Sequence, residues 1–219
     1  MISHFGKRAR YNIILFLLGF IYIFVIGLFG GVDKIDLVYG LVISFIYFFS
    51  FLTIREESRF SFSIPTLLVL LTWIGAFLGL PVFTKITGLL ATLFFFVVIF
   101  LLVLRIANSN KVRLLEFVEA VNIYLLLGIA ASLLFRSVYA FNPHAYHAPA
   151  EGLSGMPDFI YFSFVTLTTL GYGDISPASP LARSLAILFS VSGQLYLTMI
   201  IAMLVGKFLS EKQSTGKEQ

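Results

Sequence analysis

Cysteine is absent from the 219 residues, which excludes disulfides and thiolate metal sites. Charge is scarce: 12% of residues are Asp, Glu, Lys or Arg, against about 25% in an ordinary soluble domain. Internal repeats, low-complexity tracts and a second globular composition are also missing, so no repeat architecture is expected. The apolar runs hold no paired carboxylates, no His cluster and no Ser-His arrangement. These lacks argue against an enzyme and against a bound cofactor. What is present is a 59% hydrophobic chain, a composition that points to a membrane protein. The net charge of +4 would suit nucleic acid or acidic lipid, but its distribution along the chain fits membrane topology, so no nucleic-acid partner is expected.

A helix needs about 20 apolar residues to cross roughly 30 Å of hydrocarbon. Five stretches approach that length: 12–31, 35–54, 64–80, 86–104 and 117–135, and a sixth covers 181–209. The first follows Lys7, Arg8 and Arg10, as in a signal peptide, but it exceeds the roughly 7–15 residues of such a segment and reads as a retained helix. Six spans put both termini on one side. That side carries Lys7, Arg8, Arg10, Arg55, Arg59, Arg105, Lys111, Arg113, Lys207, Lys212 and Lys217; the other carries Lys34, Lys85, Arg136 and Arg183. The split of 11 against 4 implies cytoplasmic termini in the cell membrane.

Between the fifth and sixth spans lies a different segment. Residues 140–155 are rich in Pro, His, Gly and Ala and read as an exposed loop. Residues 157–168 are apolar but too short to span, which suits a re-entrant helix; Pro157 and Asp158 mark its start. Ser179-Pro180 gives a similar start signal for the last span. Residues 166–174 read Thr-Leu-Thr-Thr-Leu-Gly-Tyr-Gly-Asp. Gly171 and Gly173 alternate with larger residues, and glycine accepts dihedrals of either sign, so successive carbonyls can turn to one side. Four such strands around an axis would stack rings of oxygen that replace a cation's hydration shell, with Thr169 adding a ring of hydroxyls.

This run resembles the selectivity filter of potassium channels, threonine-valine-glycine-tyrosine-glycine, with Leu170 where valine is commonest. Tyr161-Phe162-Ser163-Phe164-Val165 before it, Asp174-Ile175-Ser176-Pro177 after it and Gly193-Gln194-Leu195-Tyr196 beyond extend the resemblance to prokaryotic two-helix pore modules, over residues 118–209. The resemblance implies an all-α membrane protein with six transmembrane helices, a re-entrant pore helix and filter between helices 5 and 6, and a tetrameric pore. It implies potassium ions held by the carbonyls of Thr169, Leu170, Gly171 and Tyr172, with Gly173 closing the filter. It makes Tyr172 a prop behind the filter and Asp174 a hydrogen-bonding group at the outer mouth. The family's usual partner for that aspartate is a pore-helix tryptophan; Tyr161 stands there, and its hydroxyl would serve instead. Val165 stands where some members carry a glutamate, and with Thr168 it would support the filter base. Gly193 matches a gating hinge. Leu197, Ile201 and Val205 follow Gln194 at helical spacing and would line the inner cavity, where an apolar stripe closes a pore by dewetting.

One pore loop cannot close a ring of four, so the expected partner is the chain itself as a homotetramer, with membrane lipid around it and K+ within it. The domains read as a four-helix bundle at 1–113, a pore domain at 114–210 and a short cytoplasmic tail at 211–219. Ten residues follow Leu209, too few for a nucleotide- or calcium-gating domain. A voltage sensor needs several Arg or Lys at every third position of the fourth helix; residues 86–104 carry none, so weak voltage dependence is expected despite the six-helix plan. The first four helices then read as a packed structural domain, or else as a sensor of lipid, tension or a partner. Phe94-Phe95-Phe96 reads as lipid- or helix-facing bulk. Lys111, Arg113, Glu116 and Glu119 read as the solvated face of a short interfacial helix that links the first bundle to the pore, or else as a coupling element or a contact with the last-helix tail at Lys207. His144 and His147, with Glu151 nearby, read as exposed loop histidines, though their spacing would hold a metal in a helix. The function expected is passive, potassium-selective conduction. The alternatives are a non-conducting or regulatory subunit that needs a partner, and a less selective cation channel.

Overall fold

The structure is a computed structural model that describes residues 2–29, 35–54, 63–108, 114–148, 152–153 and 155–215. Lys34, Arg55, Arg59, Lys111, Arg113, Glu151 and Lys217 lie outside the described residues, as do the side chains of Lys7, Lys207 and Lys212. Seven helices account for most of the rest: α1 (Ile2–Phe20), α2 (Ile35–Ile54), α3 (Ser63–Phe77), α4 (Pro81–Ala107), α5 (Leu114–Phe141), α6 (Met156–Leu167) and α7 (Pro180–Thr215). The helical course of α1 continues through a π turn, Ile21–Val25, and a 3₁₀ turn, Ile26–Phe29.

Among the described residues, five helical segments are long and apolar enough to cross a membrane: Arg8–Phe29, Ile35–Thr53, Pro81–Ala107, Leu115–Phe141 and Pro180–Met203. The third expected span is the exception. At 15 residues, α3 rises about 22 Å, short of the roughly 30 Å of a bilayer core. Its end is set by Gly79 at φ 64°, where Gly79 N–H bonds the Ala76 carbonyl and Leu80 N–H bonds the Gly75 carbonyl. That Schellman closure needs a left-handed residue, which glycine supplies. Pro81 then opens α4 at its first turn, five residues before the expected start. α4 therefore includes Lys85 as well as Arg105, one near each end, with an uncharged stretch between. α5 also runs past residue 135 to Phe141, and α7 continues to Thr215, because Glu211, Lys212 and Gln213 are good helix formers despite their polarity.

The packing has two centres. The first is built from α1, α2, α4 and α5 around Leu15, Tyr22, Tyr39, Phe95 and Ile123, and it reaches Met156 and Ile160 of α6. Phe95 is fully buried and stacks on Tyr47, centroids 4.3 Å apart, while Phe96 stacks on Phe189 of α7. These two residues of the Phe94–Phe96 run thus face other helices. The second centre cages α6. Phe135 meets Phe162 at 4.8 Å and Phe189 at 5.4 Å, and Tyr146 packs on Phe159 and Phe162. Aromatic side chains contribute large apolar areas, so this cage fixes α6 against both α5 and α7.

The acidic residues at the start of α5 correct the sequence reading. Glu116 and Glu119 are buried, at 7% and 1% exposure, and not a solvated face. Glu119 accepts from Arg8 Nε at 2.7 Å, Arg8 Nη2 at 2.6 Å and Asn12 Nδ2 at 2.7 Å, and pairs with Arg105 Nη2 at 3.0 Å. Arg105 also donates to the Thr53 carbonyl, and Asn122 Nδ2 donates to the Asn12 carbonyl at 2.8 Å. One carboxylate thus ties α1, α4 and α5 together, and Arg105 extends the tie to α2. Spacing within a single helix cannot reveal partners more than 100 residues away on another helix.

Candidate functional site: the loop between α6 and α7

Gly155, at φ 140°, precedes α6, and Pro157 and Asp158 fall in its first turn. Close packing brings α6 against its neighbours. A Cβ on Gly128 of α5 would collide with the Phe164 ring, and one on Gly193 of α7 would collide with the Leu167 carbonyl oxygen and lie 2.9 Å from the Leu167 side chain. Gly193 sits within the unbroken helix α7, where its missing side chain makes room for the C-terminus of α6. The start of α7 is capped by Ser179, whose Oγ accepts from Ala182 N–H at 3.2 Å.

From the end of α6 the backbone turns sharply. Thr169 N–H bonds the Thr166 carbonyl at 3.0 Å, and Leu170 N–H bonds the Val165 carbonyl at 3.0 Å. Thr169, Gly171 and Gly173 then have φ of 60°, 58° and 81°, while Leu170 and Tyr172 between them do not take positive values. Alternating hands of this kind turn successive peptide groups toward one side of the strand. Glycine takes such values freely, but for the β-branched Thr169 they carry strain. Thr169 Oγ1 accepts from Gln194 Nε2 of α7 at 3.2 Å. Thr168 Oγ1 donates back to the Phe164 carbonyl at 2.7 Å, within the last turn of α6.

Beside this segment, the Tyr172 ring lies nearly parallel to Tyr161 of α6, 6° between planes and 6.5 Å between centroids. The Tyr161 hydroxyl donates to Asp174 Oδ2 at 2.7 Å. The Asp174 carboxylate, through that bond first and lost hydration second, pushes the Tyr161 phenol up to about 12. The same bond holds the Asp174 carboxyl below its ordinary value. Each partner therefore stabilises the other in the protonation state the bond requires.

The strand is anchored on its far side. Ile175 is buried, and the two-residue strand β2 (Ser176–Pro177) pairs antiparallel with β1 (Tyr146–His147), Tyr146 opposite Pro177 and His147 opposite Ser176. Ala178 N–H adds a bond to the Ala145 carbonyl at 2.8 Å. The loop after α5 is therefore a 3₁₀ turn, Pro143–Ala145, followed by a strand, and the helical spacing that would let His144 and His147 share a metal is not formed. Among the described residues no group of three or more His, Cys, Asp or Glu is placed to hold a metal.

Val165 is half-buried on α6, and Leu197, Ile201 and Val205 of α7 are exposed. Residues 168–174 are likewise all exposed in the single chain, with Leu170 at 55% and Tyr172 at 67%. Only 11% of the most apolar window of α7 is buried, against 56% for α5.

Comparison with known proteins bears on this same part of the chain. Residues 123–210 match the family model described as ion channel. Potassium voltage-gated channel subfamily A member 10, from Mus musculus and from Homo sapiens, is 31% identical over 86 residues, covering 37% of this chain and 17% of the relative. Two-pore potassium channel 5 from Arabidopsis thaliana is 33% identical over 94 residues, 42% of this chain and 20% of the relative. The similarity thus spans no more than a fifth of these relatives' length. No solved structure matches. The similarity therefore lies in the C-terminal part of the chain, where residues 123–210 are similar to an ion channel family and to part of two potassium channels.

Proposed function

We propose that the chain is one subunit of a potassium-selective channel, in which four copies of residues 168–173 surround a shared axis. The observation that carries the reading is the alternation of left-handed backbone at Thr169, Gly171 and Gly173, between a short apolar helix and a spanning one. In the tetramer the carbonyls of Thr169, Leu170, Gly171 and Tyr172 form stacked oxygen rings that replace the hydration shell of K+. The C-terminal end of α6 precedes the strand and carries about half a negative charge, so four such ends favour a cation on the axis. Tyr172, Tyr161 and Asp174 form the wall behind the filter.

Exposed backbone at membrane depth is tolerated only when it is buried in protein or faces a watery cavity, and the exposure of residues 168–174 in one chain supports assembly of four. So does the bare face of α7, where Leu197, Ile201 and Val205 would line the inner cavity and Gly193 would serve as the hinge. The proposal includes six membrane crossings in the cell membrane, α3 being the short one, with both termini cytoplasmic. Voltage dependence is weak: the interior of α4 carries no charge, and Arg105 at its end is held by Glu119.

The test is flux of K+ against Na+ through the purified chain in liposomes, with barium as blocker and Gly173→Asp as control. Strong K+ preference, lost in the control, is the expected result, with little change between holding voltages. Equal Na+ and K+ flux would overturn the reading of the filter, and a steep voltage dependence would overturn the reading of α4.

A further inference from the structure

A cleft of about 520 Å³ opens between α2, α3, α4 and α5, on the same side of the molecule as the start of α6. Small residues create it. Gly40, Gly88 and Ala91 line it, and a Cβ on Gly88 would meet only Thr72 Cγ2, at 3.8 Å. Trp73 forms one wall, its indole N–H donating to Ser44 Oγ at 3.0 Å. The serine and threonine hydroxyls around the cleft bond backbone carbonyls nearby in the chain: Ser44 to Gly40, Thr72 to Leu68, Thr84 to Leu80, Thr92 to Gly88 and Ser137 to Leu133. The walls are therefore largely apolar despite these hydroxyls and that of Tyr47, and they suit hydrocarbon better than water.

The charged residues of the cleft are Asp36, Lys85 and Arg136. Asp36 pairs with Arg136 at 3.1 Å, and Lys85 Nζ donates to the Ala140 carbonyl at 2.5 Å. An ammonium has three donors, so the carbonyl leaves two for other acceptors. Among the described residues that line the cleft, two cations against one carboxylate leave a surplus positive charge beside an apolar slot. The volume is in the range of small-molecule binding clefts, roughly 300–1,000 Å³.

We propose that this cleft binds an acidic phospholipid from the adjoining leaflet, its phosphate at Lys85 and Arg136 and one acyl chain between Trp73 and Gly88. The proposal rests on these helices lying in a bilayer and not on the chain conducting potassium. Its failure is therefore separate from failure of the channel reading.

Trp73 is the only tryptophan in the chain, so its fluorescence reports the site. The full chain is reconstituted in vesicles of phosphatidylcholine and phosphatidylglycerol, with brominated acyl chains on one lipid or the other. Brominated phosphatidylglycerol is expected to quench Trp73 with about fivefold preference over brominated phosphatidylcholine, as one nearby basic side chain would give. Lys85→Gln, which keeps a donor for Ala140, should bring the two lipids close to parity. Gly88→Leu should fill the slot and weaken quenching by both. Native mass spectrometry of the parent chain should retain one phosphatidylglycerol per chain, a readout that needs no variant to fold. Equal quenching by the two lipids in the parent, or a preference that survives Lys85→Gln, would overturn the proposal. Undiminished quenching in a folded Gly88→Leu chain would overturn the placement of the acyl chain.

Discussion

Glu119→Gln tests the polar junction at the start of α5. The carboxylate takes four contacts: two from Arg8, one from Asn12 and one from Arg105. Glutamine offers one carbonyl oxygen and turns an amide toward the remaining donors. The Arg8 side chain is 24% exposed and can recover hydration, whereas that of Arg105 is 7% exposed and cannot. The cost is thus set by the loss of the Glu119 charge beside the buried Arg105 guanidinium, at the lower end of the range for broken buried pairs, about 3 kcal/mol. That corresponds to roughly a hundredfold fall in the folded-to-unfolded ratio. The assay is an unfolding titration of the purified chain in mixed micelles, followed by circular dichroism. Arg105→Met alone should also destabilise, and Arg105→Met with Glu119→Met should cost clearly less than the two single changes summed, since removing both charges leaves neither unpaired. A Glu119→Gln chain within about 1 kcal/mol of the parent, or a strictly additive double variant, would refute the reasoning.

Further perturbations address the proposed filter. Tyr161→Phe removes the bond to Asp174 and should speed the decay of potassium flux while leaving ion preference intact; unchanged decay would show that the bond does not brace the filter. The same pair sets a pH window. Asp174 is depressed, so its contribution to stability is present above the ordinary carboxylate range, at about 4, and is lost as pH falls through its lower folded value. Tyr161 is raised to about 12, so its share is complete below about 10 and is lost as pH rises through 12; stability measured on Tyr161→Phe should lack this alkaline limb. Gly193→Ala should cost about 1–3 kcal/mol and abolish flux, because its Cβ meets the Leu167 carbonyl. Gly206→Ala, with open space around it, should be neutral in the same unfolding and flux measurements.

Much of the site was legible in the residues. Pro157 and Ser179-Pro180 marked helix starts that the structure forms, with Pro157 in the first turn of α6 and Ser179 capping α7. The alternation of Gly171 and Gly173 was visible as a demand for left-handed backbone, but the same demand at Thr169 was not, since threonine seldom adopts it. Helix limits were less legible where an apolar run crossed a boundary. Leu78 and Leu80 extended the third span on hydropathy, while Gly79 and Pro81 already marked the break.

The sequence by itself determined membrane class, the approximate position of the apolar helices and the backbone permissiveness at Gly171 and Gly173, because hydropathy and backbone permissiveness are local properties. Only the tertiary structure decided that Glu119 is a buried junction, that Gly193 is packed against Leu167 and that small residues leave a cleft beside Trp73. Each of those depends on which faces of distant helices meet, and a carboxylate or a glycine looks the same in the chain whether it faces lipid, water or an arginine more than a hundred residues away.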